Sequence, residues 1–122
     1  MAQHKLTAEQ VRRIEEIQEF QRTVAIVKHL VAELEANRAG QTRTIQQLSD
    51  RIAKETQQLR QRALTANIGT IGDVAGTMSV MAARGGGMNM KIRGLTDGVN
   101  NLGMQLDTAL KHAMTPEPKK PA

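Results

Sequence analysis

The chain has 122 residues and a formal net charge of +5, with 39% hydrophobic residues but a single aromatic, Phe20. A compact domain of this size ordinarily draws much of its buried area from aromatic rings, so helices packed along narrow aliphatic seams fit the composition better than a broad mixed core. The absence of Cys excludes a disulfide scaffold, a thiolate metal site and a cysteine nucleophile.

From the N-terminus, Met1-Ala2-Gln3-His4-Lys5 opens directly onto polar sequence without an apolar signal region. No 18-residue apolar run follows in the chain. These two features lead us to expect a cytoplasmic protein, with signal-independent export left open. Thr7-Ala8-Glu9-Gln10 has the form of a capping box: the Thr7 side chain accepts from an orphan amide while Gln10 reaches back.

A seven-residue apolar repeat sets in at Ile17. One row reads Ile17, Val24, Val31, Arg38, Ile45, Ile52, Leu59 and Ala66; its companion reads Phe20, Val27, Leu34, Gln41, Leu48, Glu55 and Arg62. Asn37 and Gly40 are common helix-stop residues and would allow a hairpin here, but because the repeat holds its phase across Asn37–Gln41 it predicts one helix over residues 8–66, about 90 Å long at ~1.5 Å per residue. Arg38 and Gln41 would then form a polar layer that sets the register of the seam. Between residues 24 and 34, Ile26 and Leu30 widen the apolar stripe, which implies more than one neighbouring helix.

The register slips around Thr65-Ala66-Asn67-Ile68-Gly69, the expected site of a turn. A second repeat then runs through Ile71, Met78, Gly85, Ile92, Val99, Leu106 and Ala113, with Val74, Met81, Met88, Leu95, Leu102 and Ala109 beside it. Nine of the ten glycines lie in this block. Glycine inside a helix costs about 1 kcal/mol relative to Ala, so this second helix, residues 70–113, should depend on a partner for its order. Gly72/Gly76 and Gly94/Gly98, each pair four residues apart, suit close helix approach. Gly85-Gly86-Gly87 reads as a hinge or loop. The Pro-rich end, residues 115–122, reads as a disordered tail.

The expected organisation is therefore all-α: a heptad helix over 1–66, a glycine-rich helical segment over 67–114 and the tail, arranged as a long-helix coiled-coil hairpin or an oligomeric helical bundle. The residues expected to carry its packing are the apolar members of the two rows, the Arg38/Gln41 layer and the glycines at 72, 76, 85–87, 94 and 98.

Signs of chemistry are sparse. Ser49 and Ser79 are the only serines, and their spacing from His4, His29 and His112 suggests no triad. No Glu-x-x-His motif of the kind used by bundle metal sites occurs. The glycine segment, Arg84-Gly85-Gly86-Gly87-Met88-Asn89-Met90-Lys91, lacks the Gly-Lys-[Ser/Thr] of a phosphate-binding loop. No cofactor, metal or catalytic site is expected. The functional expectation is a non-enzymatic structural, assembly or adaptor subunit, partnered by itself or by another helical protein. Two alternatives stand beside it. The first is a basic, sequence-neutral nucleic-acid-binding accessory protein, using Arg43, Arg51, Lys54, Arg60 and Arg62 with Arg84, Lys91 and Arg93. The second, disfavoured, is a membrane-active or exported helical protein.

Overall fold

The computed structural model describes residues 6–84 and 87–115. Four helices occupy them: α1 (Ala8–Ala36), α2 (Thr42–Thr65), α3 (Gly69–Ala83) and α4 (Met88–Met114). There is no strand among the described residues. Consecutive helices pack side by side, and α1 also packs against α4. α1 and α3 are thus diagonal, as are α2 and α4. Cross-helix bonds show each neighbouring pair to be antiparallel. The start of α1 meets the end of α2 (Arg13 Nη1 to Ala66 O, 3.2 Å) and the end of α4 (Gln10 Nε2 to Thr115 O, 3.0 Å). Arg38, just beyond α1, reaches Asn89 in the first turn of α4. The result is a closed up-down-up-down bundle made by one chain.

The capping box at the start of α1 is formed. The Gln10 amide donates to Thr7 Oγ1 (3.1 Å), and the Thr7 amide donates to Gln10 Oε1 (2.8 Å). The turn expected after residue 65 is present as well. Asn67 adopts a left-handed conformation at φ 61°, and the Ile68 amide donates to Ala63 O (2.8 Å) while the Asn67 amide donates to Leu64 O (3.2 Å). This is a Schellman closure, with Asn in the position that usually demands glycine. Ile68, the residue after it, packs back against the core.

The two-helix organisation is corrected. The segment expected as one helix over 8–66 is two, interrupted at Asn37–Gln41. Asn37 ends α1, its Nδ2 donating to Glu33 O at 2.8 Å, and the Gly40 amide donates to Asn37 O at 2.8 Å. Arg38 and Gln41 therefore form no polar layer in a seam. Arg38 stands exposed in the turn, its Nη1 3.4 Å from Asn89 Oδ1, and Gln41 is the exposed residue preceding α2. The constant heptad phase misled because a short turn can return the chain in any phase, and here it returns it in the same one. The second block divides similarly, α3 ending at Ala83 and α4 starting after Gly87. Gly85 and Gly86 lie outside the described residues, as do residues 116–122 of the expected tail.

The core joins all four helices. α1 buries Ile17, Phe20, Val24, Val27, Leu30, Val31 and Leu34, the three-and-four spacing of an amphipathic helix. α4 buries Ile92, Leu95, Val99, Leu102 and Leu106 at the same spacing. Each such side chain contributes on the order of 1.5–3 kcal/mol when fully removed from water. Arg62 fastens α2 to α1. Its guanidinium lies 5.2 Å from the centroid of the Phe20 ring, Nη2 is 3.2 Å from Glu19 Oε1, and Nη1 is 3.3 Å from Thr23 Oγ1.

Candidate functional site

The residues singled out for helix packing converge on this one core. Of the two apolar rows, Ile17, Phe20, Val24, Val27, Val31, Leu34, Leu48, Ile52 and Leu59 are buried in the first, and Ile71, Met78, Ile92, Leu95, Val99, Leu102 and Leu106 in the second. Ile45, Val74, Met81 and Met88 are half-buried against the same cluster. Of the two residues that widened the first stripe, Leu30 is buried and Ile26 is 48% exposed on the outside of α1.

Beside Gly72, singled out for close helix approach, the sequence reading missed a set of small buried residues: Ser49, Thr56 and Ala63 on α2, and Ala75 and Ala82 on α3. Their signal was their small size at helical spacing, which an apolar repeat does not register. They explain why α2 and α3 make the most intimate helix pair in the molecule although α3 is the shortest helix. With little side chain between them, the backbones come close. A Cβ built on Gly72 would stand 3.6 Å from Arg60 O of α2, in ordinary contact with backbone. At Gly76 the space is taken by Arg60, whose Cδ would lie 2.9 Å from such a Cβ. Ser79 adds a cross-helix bond, donating to Ala53 O at 3.1 Å.

Between α3 and α4 the glycines serve differently. Gly94 and Gly98 are hollows on α4 that receive methionines of α3. A Cβ at Gly98 would meet Cγ and Sδ of Met78 at 2.7 Å, and one at Gly94 would collide with Sδ of Met81. The unbranched thioether chains fill the depressions that an alanine would close.

Among the described residues, no hydrogen bond or ion pair joins the serines to the histidines. His29 Nε2 lies 2.7 Å from Glu33 Oε1 on the solvent side of α1. The Ser49 hydroxyl is buried without a hydrogen-bond partner, and Ser79 is engaged by Ala53. No cluster of three or more His, Asp or Glu suited to a metal ion occurs among the described residues. An open groove of about 690 Å³ runs between α2 and α3, lined among others by Gln57, Arg60, Asp73, Thr77, Val80 and Arg84.

Two outer surfaces remain. One is the solvent side of α4, where Met90 is 82% and Met104 71% exposed, with Asp97 and Asn101 between them. Four helical turns, about 21 Å, separate the two methionines on one side of the helix. The other is charged. α1 carries six glutamates and four basic residues, whereas α2 carries five basic residues and two acids. All three ion pairs found among the described residues (Arg13–Glu16, His29–Glu33, Arg62–Glu19) involve α1. No helix among the described residues is long and apolar enough to cross a membrane. No protein-family model, curated protein or solved structure matches the chain.

Proposed function

We propose that this chain is a non-enzymatic structural, assembly or adaptor subunit that presents a preformed four-helix bundle to other helices, its own copies included, in a cytoplasmic setting. The bundle satisfies its apolar seams internally, so association uses outer faces and not the coiled-coil seam expected from the repeat. The observation that carries this reading is the exposed methionine pair on α4. Large apolar side chains this open to water stabilise a contact when covered, and methionine adapts to uneven partner surfaces. The row between them, with Asp97 and Asn101, is polar enough to stay hydrated in the free chain.

Light scattering of the full chain at micromolar concentration, alone and with Met90→Glu plus Met104→Glu, tests self-association. The expected result is a mass above that of one chain for the parent, reduced in the double variant with helical circular dichroism unchanged. A parent that stays monomeric removes self-association. A double variant that assembles like the parent removes the α4 face.

A further inference from the structure

We propose that the end of the bundle where α1 and α3 finish and α2 and α4 begin, together with the adjoining solvent side of α2, binds the phosphate backbone of nucleic acid. The proposal rests on a charge arrangement that the chain order conceals. Arg38 lies in the first connection, Arg43 in the opening turn of α2, Arg84 directly after α3, and Lys91 and Arg93 near the start of α4. The antiparallel topology brings all five to one end. Arg38 Nη1 in the first connection lies 3.4 Å from Asn89 Oδ1 in the first turn of α4, and Lys91 Nζ donates to Ala82 O at 3.3 Å.

The four arginines are exposed, and none of the five cations makes an ion pair among the described residues. The acids at this end are Glu33, already against His29, and Glu35, with Asp50 and Asp97 two turns into α2 and α4. The opposite end is balanced: Glu9, Glu15, Glu16, Asp73 and Asp107 stand there with Arg12, Arg13, Arg60, Arg62 and Lys111. Helix dipoles contribute little net field, because each end of an antiparallel bundle holds two N-termini and two C-termini. Side chains therefore make the positive end. From Arg43 the positive surface continues down the outside of α2 through exposed Gln47, Arg51, Lys54 and Gln58. Asp50 interrupts it, its carboxylate accepting from Gln46 Nε2 at 2.8 Å.

Chemistry and shape favour a nucleic-acid backbone over other polyanions. Guanidinium forks match phosphate oxygens in pairs, and the neighbouring Gln41, Thr42 and Asn89 supply neutral donors of the kind that contact phosphate and sugar. The single aromatic is buried, so there is no platform for base stacking and binding should ignore sequence. The cations cover an end and a side of the bundle, which a flat bilayer cannot touch together. Met90 and Val80 are the large apolar side chains exposed near that end, too few to anchor in lipid.

Fluorescence anisotropy of the full chain with labelled mixed-sequence RNA and duplex DNA tests the proposal, with anionic vesicles as a parallel arm. If the five cations each engage a phosphate, affinity for duplex DNA should fall several-hundred-fold between about 50 and 200 mM salt, a log–log slope near −4.5, and for single-stranded RNA about a hundred-fold, a slope near −3.5. Arg43→Gln with Arg84→Gln and Arg93→Gln should make the duplex slope shallower by about 3. A matched variant away from this surface, Arg12→Gln with Arg22→Gln midway along α1 and Lys111→Gln at the other end, should leave it near the parent value. Circular dichroism melts establish that both variants are folded. No binding to either nucleic acid at about 50 mM salt overturns the proposal. So do equal losses in the two variants, a strong sequence preference, or binding to vesicles alone.

Discussion

In the α1–α2 hairpin, large aliphatic residues and Phe20 fill the core from α1, while α2 offers Leu48, Ile52 and Leu59 on one side and a row of small residues on the other. In the α3–α4 hairpin, methionines on the first helix enter glycine hollows on the second. The first hairpin begins with a reciprocal side-chain cap at Thr7, whereas neither α3 nor α4 has a side-chain cap at its N-terminus. Helix propensity thus favours the first pair, and shape complementarity has to hold the second. A helix can tolerate glycine where the hollow is filled by a neighbour, because dispersion contacts and removal of apolar surface from water offset the lost propensity.

The largest effect expected from this contrast is in the shared core. Leu59 on α2 and Leu102 on α4 are both completely buried. Truncating either to Ala should cost about 2–5 kcal/mol by urea or thermal unfolding. A much smaller loss for Leu102→Ala would break the comparison, since it would mean the second hairpin is loosely packed despite its filled hollows.

The glycines sharpen it further. Gly98→Ala pushes against Cγ of buried Met78, close to the root of that side chain. Overpacking of about 1–3 kcal/mol should outweigh a propensity gain of about 1 kcal/mol, giving net destabilisation. Gly94→Ala meets the flexible end of half-buried Met81 and should cost less than Gly98→Ala. Equal costs would show that the methionines do not fit the hollows individually.

The smallest effect has the opposite sign. A Cβ on Gly103, inside α4, would meet nothing within 4 Å. Gly103→Ala should therefore stabilise the protein by up to about 1 kcal/mol, read as a rise in the urea midpoint with unchanged slope. Destabilisation there would point to a contact on α4 that the single chain does not contain.

How much of this was legible in advance differs by residue. The helical class followed from the heptad rows, Thr7 marked one helix start by its own local chemistry, and the slip of register marked the turn at residues 65–69. The Asn37–Gln41 turn was visible as a pair of stop residues but was outweighed by a repeat that kept its phase. The small faces of α2 and α3 gave no apolar signal at all. As for the candidate surfaces, Arg38, Arg43, Arg84, Lys91 and Arg93 look scattered along the chain, and only the fold brings them to one end.

Sequence alone determined which segments are amphipathic, because period and propensity are local properties of the residues. It also determined the cap at Thr7, whose partner Gln10 lies only three residues on. Tertiary structure decided that the described residues form four helices, that these close on one another within a single chain, and that glycine on α4 faces methionine on α3. Those outcomes depend on which apolar face covers which, and a repeat along one chain carries no information about the phase in which a turn returns it.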